Sequence, residues 1–192
     1  MKRSNTVVVL SFLTLLLGGC LSTPSEPTNF YSLRYLSTPK MTPKHSDEII
    51  KVDFPHAAST LMGKRIMYAK NRYETAYYIK NQWAEPLPSM LQDWMIQSIE
   101  DTEKFKGVVR STSRVKSSFL LESDIVTFEH RLDSKSVTVS LHVNLIDSQN
   151  NAVIKSKTFI YDEAVEKPDA PSAVKAFNRA LESFKTELSE WI

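Results

Sequence analysis

The stretch Ser136-Val-Thr-Val-Ser-Leu-His-Val-Asn-Leu145 alternates polar and apolar residues without an error. Successive side chains of a β-strand point to opposite faces, so strict alternation predicts a strand with one buried face. The predicted buried face consists of the five apolar residues Val137, Val139, Leu141, Val143 and Leu145. This stretch decides the fold because the segments on both sides of it also have the composition of strands.

Two further strands are predicted beside this one, at residues 117–130 and 152–161. A turn rich in Asn at residues 148–151 separates the second strand from the third, and Asn tolerates the positive φ that tight turns require. We therefore expect three consecutive antiparallel strands, a meander. The first of them has apolar residues on both faces, which predicts a central strand covered on both faces for part of its length.

Two helices are predicted from apolar residues at helical spacing. The first begins at Trp83-Ala84-Glu85-Pro86-Leu87-Pro88, because proline is tolerated in or before the first turn of a helix, and it runs to about Asp101. Pro171 opens the second helix, whose apolar seam recurs at steps of three and four: Val174, Phe177, Leu181, Phe184, Leu188 and Trp191. This seam fits either a core helix on the sheet or a surface shared with a partner subunit.

The remaining elements are short. A hairpin is predicted within residues 64–79, and single strands are predicted at residues 30–36, 49–54 and 108–111. Together the elements predict an α+β fold, in which an antiparallel β-sheet carries two main helices packed on it.

The N-terminus has the layout of a secretory signal peptide. Lys2 and Arg3 precede an apolar core at residues 7–17, which is shorter than the ~20 residues of a membrane span. Leu17-Gly18-Gly19-Cys20 then resembles a bacterial lipobox, which implies cleavage before Cys20 and acylation of its thiol and amine. We therefore expect a signal peptide over residues 1–19, an acylated Cys20 with a flexible tether over residues 20–29, and a single periplasmic α+β domain over residues 30–192.

The lipid anchor predicts where the protein resides. A single acyl chain gives only marginal membrane binding, whereas the about three chains of a bacterial lipoprotein cysteine hold a domain on its membrane. In the sorting rule of enteric bacteria an Asp after the cysteine retains the protein at the inner membrane, so Leu21 favours the periplasmic face of the outer membrane. Cys20 is the only cysteine, and its acylation leaves no thiol for a disulfide.

Charge excludes one class of partner. The chain has 24 Lys and Arg residues and 22 Asp and Glu residues. Lys2 and Arg3 leave with the signal peptide, so the mature chain is neutral. Nothing in this balance indicates a nucleic-acid surface, and no continuous polybasic run for anionic lipid occurs.

Candidate catalytic and metal-binding residues are few. The histidines are His45, His56, His130 and His142. His130 and His142 fall on adjacent predicted strands, where they could be cross-strand neighbours that bind a metal; a solvated strand face is the alternative. No Gly-x-Ser-x-Gly, His-Glu-x-x-His or phosphate-loop pattern occurs. We therefore expect no enzyme, no catalytic residue, no cofactor and no metal.

Several motifs in order carry a family resemblance. The lipobox is followed by Phe30-Tyr31-Ser32-Leu33, then by Trp83-Ala84-Glu85-Pro86-Leu87, and then by two long strands and a C-terminal helix. This combination resembles the ABC-type transport auxiliary lipoprotein family of the PqiC/YmbA type. The family pattern has an Arg beside the Trp, where this chain has Gln82.

The resemblance implies a function. It implies an accessory component of an MCE-type ABC transport system that moves lipids between the inner and outer membranes. The implied partners are an MCE-domain protein, the ABC transporter subunits and the membrane, which is reached through the anchor. A ring-shaped MCE partner would also favour a homo-oligomer of this chain, and direct binding of lipid is left open.

The resemblance also names candidate contact residues. Trp83, Pro86 and Leu87 map onto the family motif, and a tryptophan is typical of interface hot spots. The alternative is structural, with Trp83 packed over the start of the helix and Pro86 setting its entry. A different class of function also stays open: a structural or regulatory envelope lipoprotein that activates a cell-wall synthase or assists secretion. A periplasmic hydrolase is the third alternative.

Overall fold

The computed structural model describes residues 27–37 and 46–192, and it confirms the α+β class with two main helices. Cys20 and His45 lie outside the described residues. The elements are β1 (Asn29–Tyr31), β2 (Ile49–Val52), β3 (His56–Ala57), β4 (Arg65–Asn71), β5 (Glu74–Trp83), α1 (Leu87–Glu100), β6 (Gly107–Arg110), β7 (Phe119–Arg131), β8 (Ser136–Asp147), β9 (Ala152–Ala164) and α2 (Ala170–Trp191). Within the described residues, neither helix is long and apolar enough to cross a membrane.

The predicted meander is confirmed. Strand β8 pairs antiparallel with β7 on one side and with β9 on the other. The five alternating apolar residues of β8 are all buried. Asn151, in the turn between β8 and β9, has a φ of 52°, as an Asn-rich turn predicts.

The sheet as a whole is mixed, whereas the sequence predicted an antiparallel sheet. The edge of β7 that faces away from β8 carries three short strands in succession, β2, β3 and β4, and all three run parallel to it. Strands β6 and β1 are also parallel to their neighbours, β2 and β5. Parallel neighbours require long crossover connections, and the alternation within a strand says nothing about the direction of the strand beside it.

Strand β7 is central, and the predicted cover on both faces is limited to its start, where Phe119 and Leu120 are both half-buried. A bulge between Ile125 and Thr127 inserts one extra residue and shifts the phase of the alternation. Leu121 and Ile125 before the bulge are therefore buried together with Phe128 after it, while Val126 is 58% exposed. The apolar residues that alternation assigns to two faces thus belong largely to one.

The core lies between the sheet and the two helices, and aromatic rings fill much of it. Phe128 of β7 stacks on Phe177 of α2, with ring centroids 4.4 Å apart. Trp94 of α1 stacks on Phe184 of α2 at 5.8 Å. The seam of α2 is buried apart from Trp191, which is half-buried. The interpretation of α2 as a core helix is therefore confirmed, and its seam is not available to a partner.

Candidate functional site

The two sequence segments that carry the family resemblance are hydrogen-bonded neighbours. Strand β1 lies parallel to the end of β5, with Tyr31 opposite Trp83. The backbone N–H of Ala84 donates to the carbonyl of Tyr31 at 2.7 Å, and that of Trp83 donates to the carbonyl of Lys64 at 2.7 Å. The segment from Trp83 to Leu87, which we call the Trp83 corner, thus joins β1, the turn before β4 and the start of α1.

Trp83 sits in the core. Its side chain is 1% exposed, and its ring packs edge-on against Phe128 at 6.0 Å and Phe177 at 5.8 Å. Leu87 is also 1% exposed. A partner could touch either side chain only if it left the core, so the structure favours the structural alternative for these two residues.

Pro86 fixes the start of helix α1. It is the N-cap residue, with φ −52° and ψ 135°, and its carbonyl accepts from the backbone N–H of Met90 at 3.2 Å. The carbonyl of Gly63 accepts from the N–H of Leu87 at 3.2 Å, which ties the helix start to the turn before β4. Pro86 is half-buried and Glu85 is exposed. A direct contact between a partner and this motif stays a prediction, and it applies to the more exposed residues Glu85 and Pro86.

Residues 32–37, which we call the strap, follow β1 and cross helix α2. The sequence predicted a strand over residues 30–36, whereas regular strand ends at Tyr31. The strap is held by side chains: the backbone N–H of Arg34 donates to Oδ1 of Asn178 at 2.7 Å, and Nζ of Lys185 donates to the carbonyl of Leu36 at 2.7 Å.

Tyr35 anchors the strap to helix α1. Its hydroxyl donates to Oδ2 of Asp101 at 2.6 Å, and its ring meets Trp94 edge-on at 5.5 Å. Burial, and then the hydrogen bond to the carboxylate, raise the pKa of Tyr35 well above its ordinary value. The phenol is therefore neutral at any physiological pH and serves as a fixed donor.

A groove of about 830 Å³ lies between the strap and the first half of α2. Its apolar wall includes Phe30, which is 63% exposed, and Leu36, which is 65% exposed. Three cationic groups, of Arg34, Lys175 and Arg179, and one carboxylate, of Glu182, complete its lining. An apolar groove with cationic groups suits an apolar side chain or acyl chain that carries a negative neighbour.

His130 and Tyr78 form a buried polar pair under the β4–β5 hairpin. The Tyr78 hydroxyl lies 2.7 Å from Nδ1 of His130, which is fully buried, and the two rings stack at 6.2 Å. Burial lowers the pKa of His130 and raises the pKa of Tyr78 to about 12. The imidazole is therefore neutral at neutral pH, and its Nδ1 shares a hydrogen bond with the phenol. Its Nε2 is buried without a hydrogen-bond partner among the described residues.

The proposed pairing of His130 with His142 is wrong. The register places Val137 opposite His130 and Asp124 opposite His142, so the two histidines lie six residues apart along β7. His142 instead lies near Oγ1 of Thr158 at 2.9 Å. Among the described residues, no group of three or more His, Cys, Asp or Glu side chains is arranged to hold a metal ion.

Sequence reasoning missed the groove and the buried pair. The groove depends on where the strap crosses α2, and no periodicity marks an irregular segment. The Tyr78–His130 pair depends on the parallel register of β4 with β7, which brings Tyr68 opposite His130. The cluster of Tyr residues in the hairpin was a visible signal, but it does not specify a partner.

A family model described as "ABC-type transport auxiliary lipoprotein component" matches residues 31–189. The match therefore begins at Tyr31 in β1 and includes the strap, the Trp83 corner and both helices.

Similar structures share the fold. Protein XCC0632 from Xanthomonas campestris is 26% identical to this chain, and its crystal structure gives a TM-score of 0.77 over 85% of this chain and 94% of that one. A second crystal structure, of an uncharacterized protein, gives a TM-score of 0.70 at 17% identity over 86% and 98% of the two chains. At that lower identity the likeness shows the fold alone.

One curated relative is longer than this chain. It is the uncharacterized protein bll6063 of Bradyrhizobium diazoefficiens, which is 25% identical over 138 residues. The match covers 71% of this chain and 37% of the relative, so the matched region spans just over a third of that protein.

Proposed function

The chain belongs to the family of ABC-type transport auxiliary lipoprotein components, and from this we propose that it serves an MCE-type system that moves lipids between the inner and outer membranes. The observation that carries the proposal is the family match, which spans residues 31–189 and so nearly all of the expected domain. Families of this kind assist a transporter; this one is not a known enzyme family. The role is therefore one of docking and contact.

The proposal places the protein on the periplasmic face of the outer membrane. Cys20 carries the acyl chains, residues 20–29 are the tether, and residues 30–192 are the domain that meets the transporter. The support is the lipobox, the Leu21 that follows it and the lipoprotein family. Stable anchoring by more than one acyl chain keeps the domain at this membrane while the ABC subunits work at the other.

The groove between the strap and α2 is the site that we assign to the MCE-domain partner. It lies immediately after the tether, and Phe30 and Leu36 expose apolar surface there. Partner binding would bury this surface, and exposed apolar side chains are the usual anchors of interfaces. A homo-oligomer would present several such grooves to a ring-shaped partner. Transported lipid is the other occupant that the groove's chemistry accepts.

Site-specific photo-crosslinking tests this assignment. A photoreactive residue replaces Lys175, which is exposed and lines the groove, and a matched one replaces Gln149 in the distant β8–β9 turn. In intact envelopes the position 175 probe is expected to crosslink to an MCE-domain protein, and the position 149 probe is not. Crosslinks from position 175 to lipid alone would reassign the groove to cargo. Crosslinks only to cell-wall synthases or secretion proteins would contradict the proposed function.

A further inference from the structure

The β4–β5 hairpin carries an excess of positive charge, although the expected mature chain is neutral overall. Residues 64–82 contain five basic residues and one acidic residue: Lys64, Arg65, Lys70, Arg72 and Lys80, with Glu74. The basic residues are dispersed in sequence, which is why no polybasic run is visible. Lys70 and Arg72 lie at the turn of the hairpin, whereas Lys64 and Arg65 lie at its other end, where Lys64 pairs with Glu85 at 3.4 Å. Glu74 neutralises Lys70 at 2.5 Å, whereas Arg72 at the turn takes part in no ion pair between described residues.

The same hairpin exposes large apolar and aromatic side chains. Tyr73 at its turn is 89% exposed, and Ile79 on β5 is 88% exposed. The Arg72 guanidinium lies over the Tyr73 ring, 5.9 Å from its centroid. Tyrosine beside a cation is the combination that occupies the boundary between lipid headgroups and acyl chains, because the ring is amphipathic and the cation reaches phosphate.

The start of β1, which is the end nearer to Cys20 in sequence, faces the same end of the sheet as the hairpin turn. Strand β1 runs parallel to β5, with Asn29 opposite Asn81 and Tyr31 opposite Trp83. Followed back towards Cys20, the chain therefore leaves β1 towards the end of the sheet that holds the hairpin turn. Strand β4 is parallel to β7, so this is also the end with the β7–β8 turn, and the β8–β9 turn lies at the opposite end.

The chain lengths fit a contact between the hairpin and the membrane. Glu74 precedes Asn81 by seven residues, which is about 23 Å along a strand. Asn29, the residue opposite Asn81, follows Cys20 by nine residues, and a chain of that length reaches at most about 32 Å. The chain between Cys20 and β1 is therefore long enough for the hairpin turn to meet the membrane that holds the anchor.

We propose that the β4–β5 hairpin is a second membrane contact, which binds the anionic phospholipid surface of the membrane that holds the anchor. Arg72 at the turn meets the phosphates, and Tyr73 beside it enters the interface. The contact rests on the acylation of Cys20 that is part of the proposed function. It would fix the orientation of the domain, with the β8–β9 turn pointing away from the membrane.

The test uses the mature lipoprotein reconstituted on vesicles. The mass of the purified chain first establishes whether Cys20 is acylated, so that a missing anchor is distinguished from a missing hairpin contact. A fluorophore is attached at Thr75→Cys, an exposed position that leaves Arg72, Tyr73 and Ile79 intact, or at Gln149→Cys in the β8–β9 turn. The vesicles are phosphatidylcholine with or without phosphatidylglycerol, and both contain a lipid that carries a quencher on its headgroup.

We expect the label at position 75 to be quenched several-fold more than the label at position 149 when phosphatidylglycerol is present. Arg72→Glu should reduce this contact at least about five-fold, the factor that one cation contributes at an anionic surface, whereas the matched Arg114→Glu should not. High salt should act like Arg72→Glu. Equal quenching at the two positions, or quenching independent of phosphatidylglycerol, would overturn the proposal. The proposal would also be overturned if lipid quenchers did not reach the label at position 75 and a crosslinker at that position captured a protein in envelopes.

Discussion

Tyr31 lies opposite Trp83 in the parallel pair of β1 and β5, and the backbone carbonyl of Tyr31 accepts a hydrogen bond from Ala84. The pairing joins the first strand after the tether to the corner where helix α1 begins. The Trp83 ring then packs edge-on against both Phe128 and Phe177, so this strand pair connects β1 to the core. The two family motifs are thus one structural unit.

Trp83→Ala should destabilise the domain by about 3–5 kcal/mol, because it removes a buried ring and leaves a cavity beside the stacked rings of Phe128 and Phe177. Urea unfolding of Trp83→Ala and of the control Tyr73→Ala, which alters an exposed ring, measures the difference. The control should stay within about 0.5 kcal/mol of the wild type. An equally stable Trp83→Ala protein that no longer captures its partner would instead support a direct contact at this residue.

Tyr78→Phe should lower the free energy of unfolding by about 1–3 kcal/mol, since it leaves Nδ1 of the buried His130 without its hydroxyl partner. Tyr73→Phe removes the same hydroxyl from an exposed ring and should have little effect on the free energy of unfolding. Thermal or urea unfolding of the two variants provides the comparison. Similar stabilities would show that water or a rearranged side chain satisfies His130 in the variant.

His130 should make the domain less stable as the pH falls below about 6.5. Burial lowers the pKa of the folded imidazole, with the nearby Asp169 carboxylate acting in the opposite direction, while the unfolded chain keeps the ordinary value of 6.5. Below that pH the unfolded state binds a proton more readily than the folded state does, so the free energy of unfolding decreases. Above it both states are neutral and the effect vanishes. The free energy of unfolding in urea is measured from pH 7.5 to pH 5.5 for the wild type and for His130→Phe. If this free energy depends on pH equally in the two proteins, the pKa of His130 is not lowered.

Asn178→Ala should loosen the strap without unfolding the domain. It removes the acceptor of the Arg34 N–H, so hydrogen exchange at that amide should accelerate while global stability falls by only about 0.5–1.5 kcal/mol. Asn150→Ala, in the β8–β9 turn, is the matched control and should leave exchange at Arg34 unchanged. If exchange at Arg34 were the same in all three proteins, Asn178 would not hold the strap.

The sequence predicts those parts of the fold that depend on local patterns. Strict alternation at residues 137–145 determines which face of β8 is buried, and an Asn-rich turn makes its partner β9 antiparallel. The prolines at positions 86 and 171 correctly mark where the two helices begin. Each of these features is decided by side chains within a few residues of one another.

The features that the sequence does not predict depend on distant residues. The bulge after Ile125 moves Phe128 to the buried face, and alternation alone cannot place an inserted residue. The parallel neighbours of β7 arrive from other parts of the chain through long connections. The groove at the strap exists because Arg34 meets Asn178, 144 residues away in sequence. Candidate site residues chosen from motifs therefore turned out to include core residues, Trp83 and Leu87.

Co-purification from crosslinked native envelopes tests the central claim most directly. The lipoprotein is recovered under denaturing conditions and its attached proteins are identified by mass spectrometry, with Cys20→Ser as the unanchored control. We expect to recover an MCE-domain protein and its ABC subunits with the wild type, and to lose them with Cys20→Ser. Recovery of cell-wall synthases or secretion components without any MCE-domain protein would contradict it.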